Sequence, residues 1–192
     1  MIGSRTIKTL IALLASMSIG AFVLIALETA PARARSEQLA ALIAPGDGVS
    51  AALHDTAVPL QPVKWRAVVV HTSAEGSGIP SRCHFVLSPN GLVSCTDLWK
   101  RQMRGNHVYV PGRDFNADSV GVCVVGDFSS TGTRISQKQF DGLVGLIGSL
   151  QKTLRIPAER VYLHRDLDAR SNSPGQGFPA NAFNASLVTN FK

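Results

Sequence analysis

The sequence predicts an α/β domain: a mixed β-sheet flanked by helices. Three observations carry that expectation. Short apolar runs recur at 65–71, 119–128 and 160–164, the first rich in β-branched residues, the pattern of buried strands. A turn signal, Pro89-Asn90-Gly91, separates two alternating runs in 83–95 and marks a hairpin, so the sheet is mixed rather than purely parallel. One segment, 136–154, repeats apolar residues at helical spacing, as a helix packed on one side does.

The chain opens on a targeting signal. Arg5 and Lys8 precede an uncharged apolar run from Leu10 to Leu27, followed by Ala32-Arg33-Ala34, which resembles a small-residue cleavage site. The run is longer than a usual signal core and just short of the roughly 20 residues that span a bilayer. Residues 1–35 are therefore expected to be a signal peptide or, if uncleaved, a membrane anchor through residues 10–27. Either way the protein is exported, to the periplasm or the cell exterior. Removing Arg5, Lys8, Arg33, Arg35 and Glu28 from the totals of 19 Lys+Arg and 13 Asp+Glu leaves a net charge of +3. That mild balance suits an anionic envelope polymer, and no basic run points to nucleic acid.

Residues 36–64 are expected to be a linker or loose lead-in: SEQLAALIA suggests a short helix, and the Gly- and Pro-rich stretch after it suggests loop. The compact domain is expected over 65–180, with 181–192 as a tail. WRAVVVH ends a buried strand on His71, and CHFVLSPNGLVSC forms the hairpin. SVGVCVVGDF is a central strand with Cys123 as a core residue. In the helix at 136–154, Ser136 is the N-cap, Gln139 stands at the capping-box position, and Ile135 and Phe140 fit the flanking staple. Phe140, Leu143, Val144, Ile147, Leu150 and Leu154 form its apolar face. RVYLH is a third strand, ending on His164.

Two buried strands ending on histidine would bring both imidazoles to one edge of the sheet if the strands are neighbours. Neutral imidazole is a good zinc ligand, and a catalytic zinc needs three protein ligands and an open position. The three cysteines, Cys83, Cys95 and Cys123, form no CxxC. Cys83 and Cys95 fall roughly opposite each other in a hairpin centred on Pro89-Asn90, which allows a cross-strand disulfide; otherwise they are two half-buried thiols, since a slip in register separates them. Trp99 either lines a groove and stacks on sugar or packs in the core. Asn116 is a turn residue before the central strand and a candidate substrate contact. Arg101, Arg104, Arg113 and Arg170 are candidates to meet peptide carboxylates, with solvated surface charge as the plainer reading.

In order, VVVHTSAEGSG, CHFVLSPNGLV, GNHV, NADSVGVCVVGDF, ISQKQFDGLVGLIGSL and VYLHRDLDARSNSPGQGF resemble the type 2 N-acetylmuramoyl-L-alanine amidases, a group that includes bacteriophage amidases and the animal peptidoglycan recognition proteins. The likeness runs from about Trp65 to Pro179. It implies a groove for the peptide stem of peptidoglycan and, in active members, a zinc whose bound water attacks the lactyl-L-alanine amide. His71 and His164 match the two histidine ligands. The third ligand, a cysteine or aspartate before Pro-Gly, falls on Ser173. The tyrosine common before the His-Phe pair falls on Cys83. The lysine or threonine two residues before the third ligand falls on Ser171, beside Arg170, and His107 matches a groove histidine. His107 and Arg170 are thus the candidates to assist catalysis.

A neutral hydroxyl is a poor zinc ligand, and ionising it costs far more than ionising a thiol. In the recognition-protein branch, serine at this position accompanies loss of catalysis with binding retained. Three functions follow: a peptidoglycan-binding protein without zinc; a zinc amidase that takes a carboxylate from the 166–173 loop, Asp166 or Asp168; and an envelope scaffold for other partners.

Overall fold

Alternation within the apolar runs decides which side chains reach which layer, and thereby where the sheet can carry polar chemistry. The computed structural model describes residues 45–73, 82–130 and 133–189. The apolar run 10–27, the cleavage-like Ala32-Arg33-Ala34 and SEQLAALIA lie outside them. Among the described residues no helix is long and apolar enough to cross a membrane.

Strand β1 (Ala67–Ser73) pairs in parallel with β4 (Ser119–Val125) over its whole length and with β5 (Val161–Leu163) on its other side. Strand β2 (Phe85–Leu87) runs parallel to β4 and antiparallel to β3 (Val93–Cys95). The order is β3-β2-β4-β1-β5, a five-stranded mixed sheet. Successive side chains of a strand point to opposite faces. Val68, Val70, Phe85, Leu87, Val120, Val122, Val124 and Leu163 therefore join one large apolar core. Ala67 and Val69 join a smaller one with Val108 and Phe115.

The larger core is closed by the expected long helix, here α4 (Gln137–Leu154), after α1 (Pro45–His54), α2 (Asp97–Lys100) and α3 (Phe115–Asp118) in chain order. Ser136 caps α4 by accepting from the Gln139 amide at 3.2 Å, which satisfies one of the helix's free N–H groups and contributes about 1 kcal/mol. Leu143, Ile147, Leu150 and Leu154 are buried as its spacing predicts. Gln139 does not reach back to complete a capping box. Its Nε2 donates to the Leu87 and Val125 carbonyls at 3.3 and 2.9 Å, tying the ends of β2 and β4 to the helix.

Two expectations are corrected and two open alternatives are decided. The stretch after Ala44 is no loose lead-in: α1 buries Val49, Ala52 and Leu53 in the main core. The segment 181–192 is no mere tail either. Helix α6 (Ala180–Ala185), which follows α5 (His164–Leu167), inserts Phe183 into the same core. Trp99 lines no groove; it is fully buried between Phe85 and Trp65, and its indole N–H donates to the Leu53 carbonyl at 3.0 Å. The hairpin turns about Asn90, so Phe85 rather than Cys83 faces Cys95. The Cys95 thiol turns to the Asp55 carboxylate at 3.4 Å instead, and the Cys83–Cys95 disulfide is not formed.

Candidate functional site

The face of the sheet away from α4 carries the polar chemistry. His71, on β1, is the register partner of Cys123 on β4, so both side chains share that face. Val70 pairs with Leu163 on β5, which makes His71 and His164 neighbours, their ring centroids 6.3 Å apart. The two strand-end histidines do meet. Cys83, just ahead of β2, completes the floor: ligand atoms of His71, Cys83 and Cys123 all lie within 4.8 Å of one another.

Two further imidazoles, His107 and His84, pack beside this cluster, their ring centroids 5.8 Å apart. The loop carrying His107 is pinned by Asn116, whose Oδ1 accepts from the His107 and Val108 amides and whose Nδ2 donates to the Val108 carbonyl at 2.6 Å. Asn116 thus spends its amide on the loop rather than on a substrate. His107 stacks on His71 at 6.3 Å and 9°. It fits there because β4 has Gly121 beneath it; a Cβ at Gly121 would stand 2.4 Å from the ring. His84 is different. Its Nδ1 accepts from the Gly121 amide and its Nε2 pairs with the Met103 carbonyl, both at 2.9 Å, so it is a structural, neutral imidazole.

Burial holds His71 at about 4 and His107 at about 3, with the neighbouring imidazoles pushing the same way. His164 is lowered as well, again by burial first. All are thus neutral donors at neutral pH. His71 keeps a partly exposed edge, yet its Nε2 is shut off from solvent with no hydrogen-bond partner among the described residues, as is Nδ1 of His107. Hydrogen bonding to Cys123, and then burial, raise the Cys83 thiol far above its ordinary range.

The polar side chains of the loop after β5 are already engaged. Ser173, ahead of a cis peptide to Pro174, accepts from the Thr72 amide at 2.8 Å and lies 3.2 Å from the Thr72 hydroxyl. Ser171 Oγ is 2.7 Å from His164 Nδ1. Asp166 accepts from the Leu163 amide at 2.9 Å, a turn-stabilising role. Asp168 holds Arg170 through two bonds of 2.9 and 3.0 Å, and Arg170 lies over the ring of Tyr109 at 5.0 Å. Arg104 and Arg113 are likewise paired, with Asp114 and Asp118.

Sequence reasoning missed Cys123 and Tyr109 as parts of this face. Cys123 sits in a strand apolar on both sides, where alternation carries no signal. Tyr109 is an exposed aromatic in an irregular loop, and only its nearness to GNHV hinted at it.

A mixed sheet with one face built as an apolar core and the other bearing histidines at the ends of two adjacent parallel strands is an α/β scaffold with its polar site at the strand ends. The chain belongs to the N-acetylmuramoyl-L-alanine amidase family, whose model matches residues 51–176. Among solved structures it is similar to the endolysin amidase LysCS from Clostridium intestinale (20% identity, TM-score 0.53, 70% of this chain and 91% of that one). It is also similar to the amidase AmiD from E. coli (17%, 0.55, 67% and 59%) and to bumblebee PGRP-SA (19%, 0.50, 67% and 87%). At these identities the likeness is one of fold. No curated protein matches the chain.

The family is typically zinc-dependent, and the residues at 71, 164 and 173 do not make a zinc set. Ser173 offers a neutral hydroxyl already bonded to Thr72. His164 Nδ1 is engaged by Ser171, and the loop carboxylates are turned to Leu163 and Arg170.

Proposed function

We propose that the protein is exported behind residues 1–35 and binds the stem-peptide region of peptidoglycan in the groove above His71, His107 and His164, without hydrolysing it through a zinc at positions 71, 164 and 173. One observation carries the reading: the hydroxyl of Ser173, at the position of the third ligand, is used to hold the end of β1 at Thr72. AmiD was solved with a muramyl peptide and a peptidoglycan recognition protein pair with tracheal cytotoxin, which supports the choice of ligand. The exposed Arg170–Tyr109 pair supplies polar and aromatic contacts for a sugar–peptide junction. The alternative, an amidase using Asp166 or Asp168, requires either carboxylate to abandon a bond it now makes.

Two assays on the same protein test this. Retention on insoluble peptidoglycan is expected, weakened several-fold in Tyr109→Ala and Arg170→Ala. Release of free stem peptide is expected to stay at the level of a blank. Failure to sediment with the polymer would leave the scaffold reading; stem-peptide release abolished by His71→Ala or Asp168→Asn would establish the amidase.

A further inference from the structure

The family's ligand positions leave one buried imidazole nitrogen unused and two thiols beside it. We propose that His71, Cys83 and Cys123 form a binding site for one thiophilic divalent ion of the zinc class, set deeper in the sheet than the 71/164/173 position. This inference stands whether or not the groove hydrolyses anything.

The donor set is the first argument. One imidazole and two sulfurs are soft-to-borderline ligands, the combination that selects zinc and related ions over magnesium or calcium. Geometry is the second. Zinc–sulfur bonds of ~2.3 Å and zinc–nitrogen bonds of ~2.0 Å space the donors of a tetrahedral ion roughly 3.3–3.8 Å apart. The three donors lie within 4.8 Å of one another, so a closed set is a side-chain adjustment away. The backbone beneath need not move: His71 and Cys123 are register partners in adjacent interior strands. The third argument is the orphaned nitrogen. Nε2 of His71 is buried with no hydrogen-bond partner among the described residues, a costly arrangement that an ion would relieve.

Val86 and Val125 pack against the two thiols, so the sulfurs face an apolar wall on one side and the imidazole on the other. Among the described residues no fourth histidine, cysteine or carboxylate joins the set, which leaves one position of a tetrahedral ion to water. Both cysteines must lose a proton to bind, so each ion taken up releases two protons. The competing fate of two adjacent thiols in an oxidising compartment is a disulfide, which would remove both donors at once.

The test uses the full chain, reduced and stripped with chelator, then titrated with Co²⁺ followed by Zn²⁺. One cobalt per chain is expected, with a thiolate-to-metal charge-transfer absorption that equimolar zinc abolishes and two protons released per ion. Cys83→Ser and Cys123→Ser each remove the band; His164→Ala and Ser173→Ala leave it. Absence of the band, its survival in both serine variants, or its loss in His164→Ala overturns the assignment. So does a Cys83–Cys123 disulfide found by mass spectrometry in protein recovered from its exported location. Should the variants unfold, the unaltered protein still decides: zinc is expected to shield Cys83 and Cys123 from alkylation while Cys95, outside the set, reacts as before. Equal labelling of all three with and without zinc refutes the site.

Discussion

At His84 both ring nitrogens are committed, one to the Gly121 amide and one to the Met103 carbonyl, and a second proton has no place. Burial first, and the Lys64 charge after it, bring the imidazole from 6.5 to about 4 in the fold. Between those values the unfolded chain binds a proton that the folded chain refuses, so stability falls as pH drops through this window. For this one group the loss reaches about 3 kcal/mol. His107, its ring 5.8 Å away, and His71 add losses of the same sign. In metal-free protein, the urea midpoint is expected to fall from neutral to mildly acidic pH, read by fluorescence of Trp65 and Trp99, which flank the ring. His84→Gln should flatten the dependence; an unchanged slope would sink the assignment. The roles of single residues were unevenly legible. His71 and His164 end short apolar runs, which marked them as strand-end residues; the family resemblance marked them as ligand positions. Cys83 stood out as a departure from a family tyrosine, but whether it pairs with Cys95 stayed open until the register was known, because that register depends on turn geometry.

Helix α4 was legible to within a residue, since its cap and its spacing agreed. Its glycines were not interpretable until the neighbours were known. A Cβ on Gly142 would stand 2.6 Å from the Gly91 carbonyl oxygen in the hairpin turn, so the helix rides directly on backbone there. Gly148 has nothing within 4 Å. Alanine gains about 1 kcal/mol of helix propensity at either site, and overpacking costs about 1–3 kcal/mol. Gly148→Ala is therefore expected to raise the unfolding midpoint and Gly142→Ala to lower it. Equal shifts in denaturant titrations would show that the turn yields freely. Helix α1 escaped sequence reading for a related reason: Pro45, Gly46 and Gly48 are breakers by propensity, and burial of Val49 and Leu53 overrides them.

For the whole molecule, the domain does not begin at Trp65, because α1 supplies part of the main core and accepts the Trp99 indole bond. A chain shortened to start at Trp65 is expected to lose several kcal/mol, since each deleted core leucine alone costs about 2–5 kcal/mol. Thermal unfolding against a chain starting at Ile43 would reveal it, and matching midpoints would return α1 to the status of a lead-in. The layered plan was readable in advance because strand and helix periods differ plainly; the boundaries were not, since both end helices are short and held by a few buried side chains. The sheet order has one more consequence. His71 stands on a strand paired on both sides, with seven register partners on β4, whereas His164 follows an edge strand held by three. Local opening begins where pairing is sparse. The two histidines therefore stand like one fixed jaw and one sprung jaw: His164 can yield without loosening the strand that carries His71.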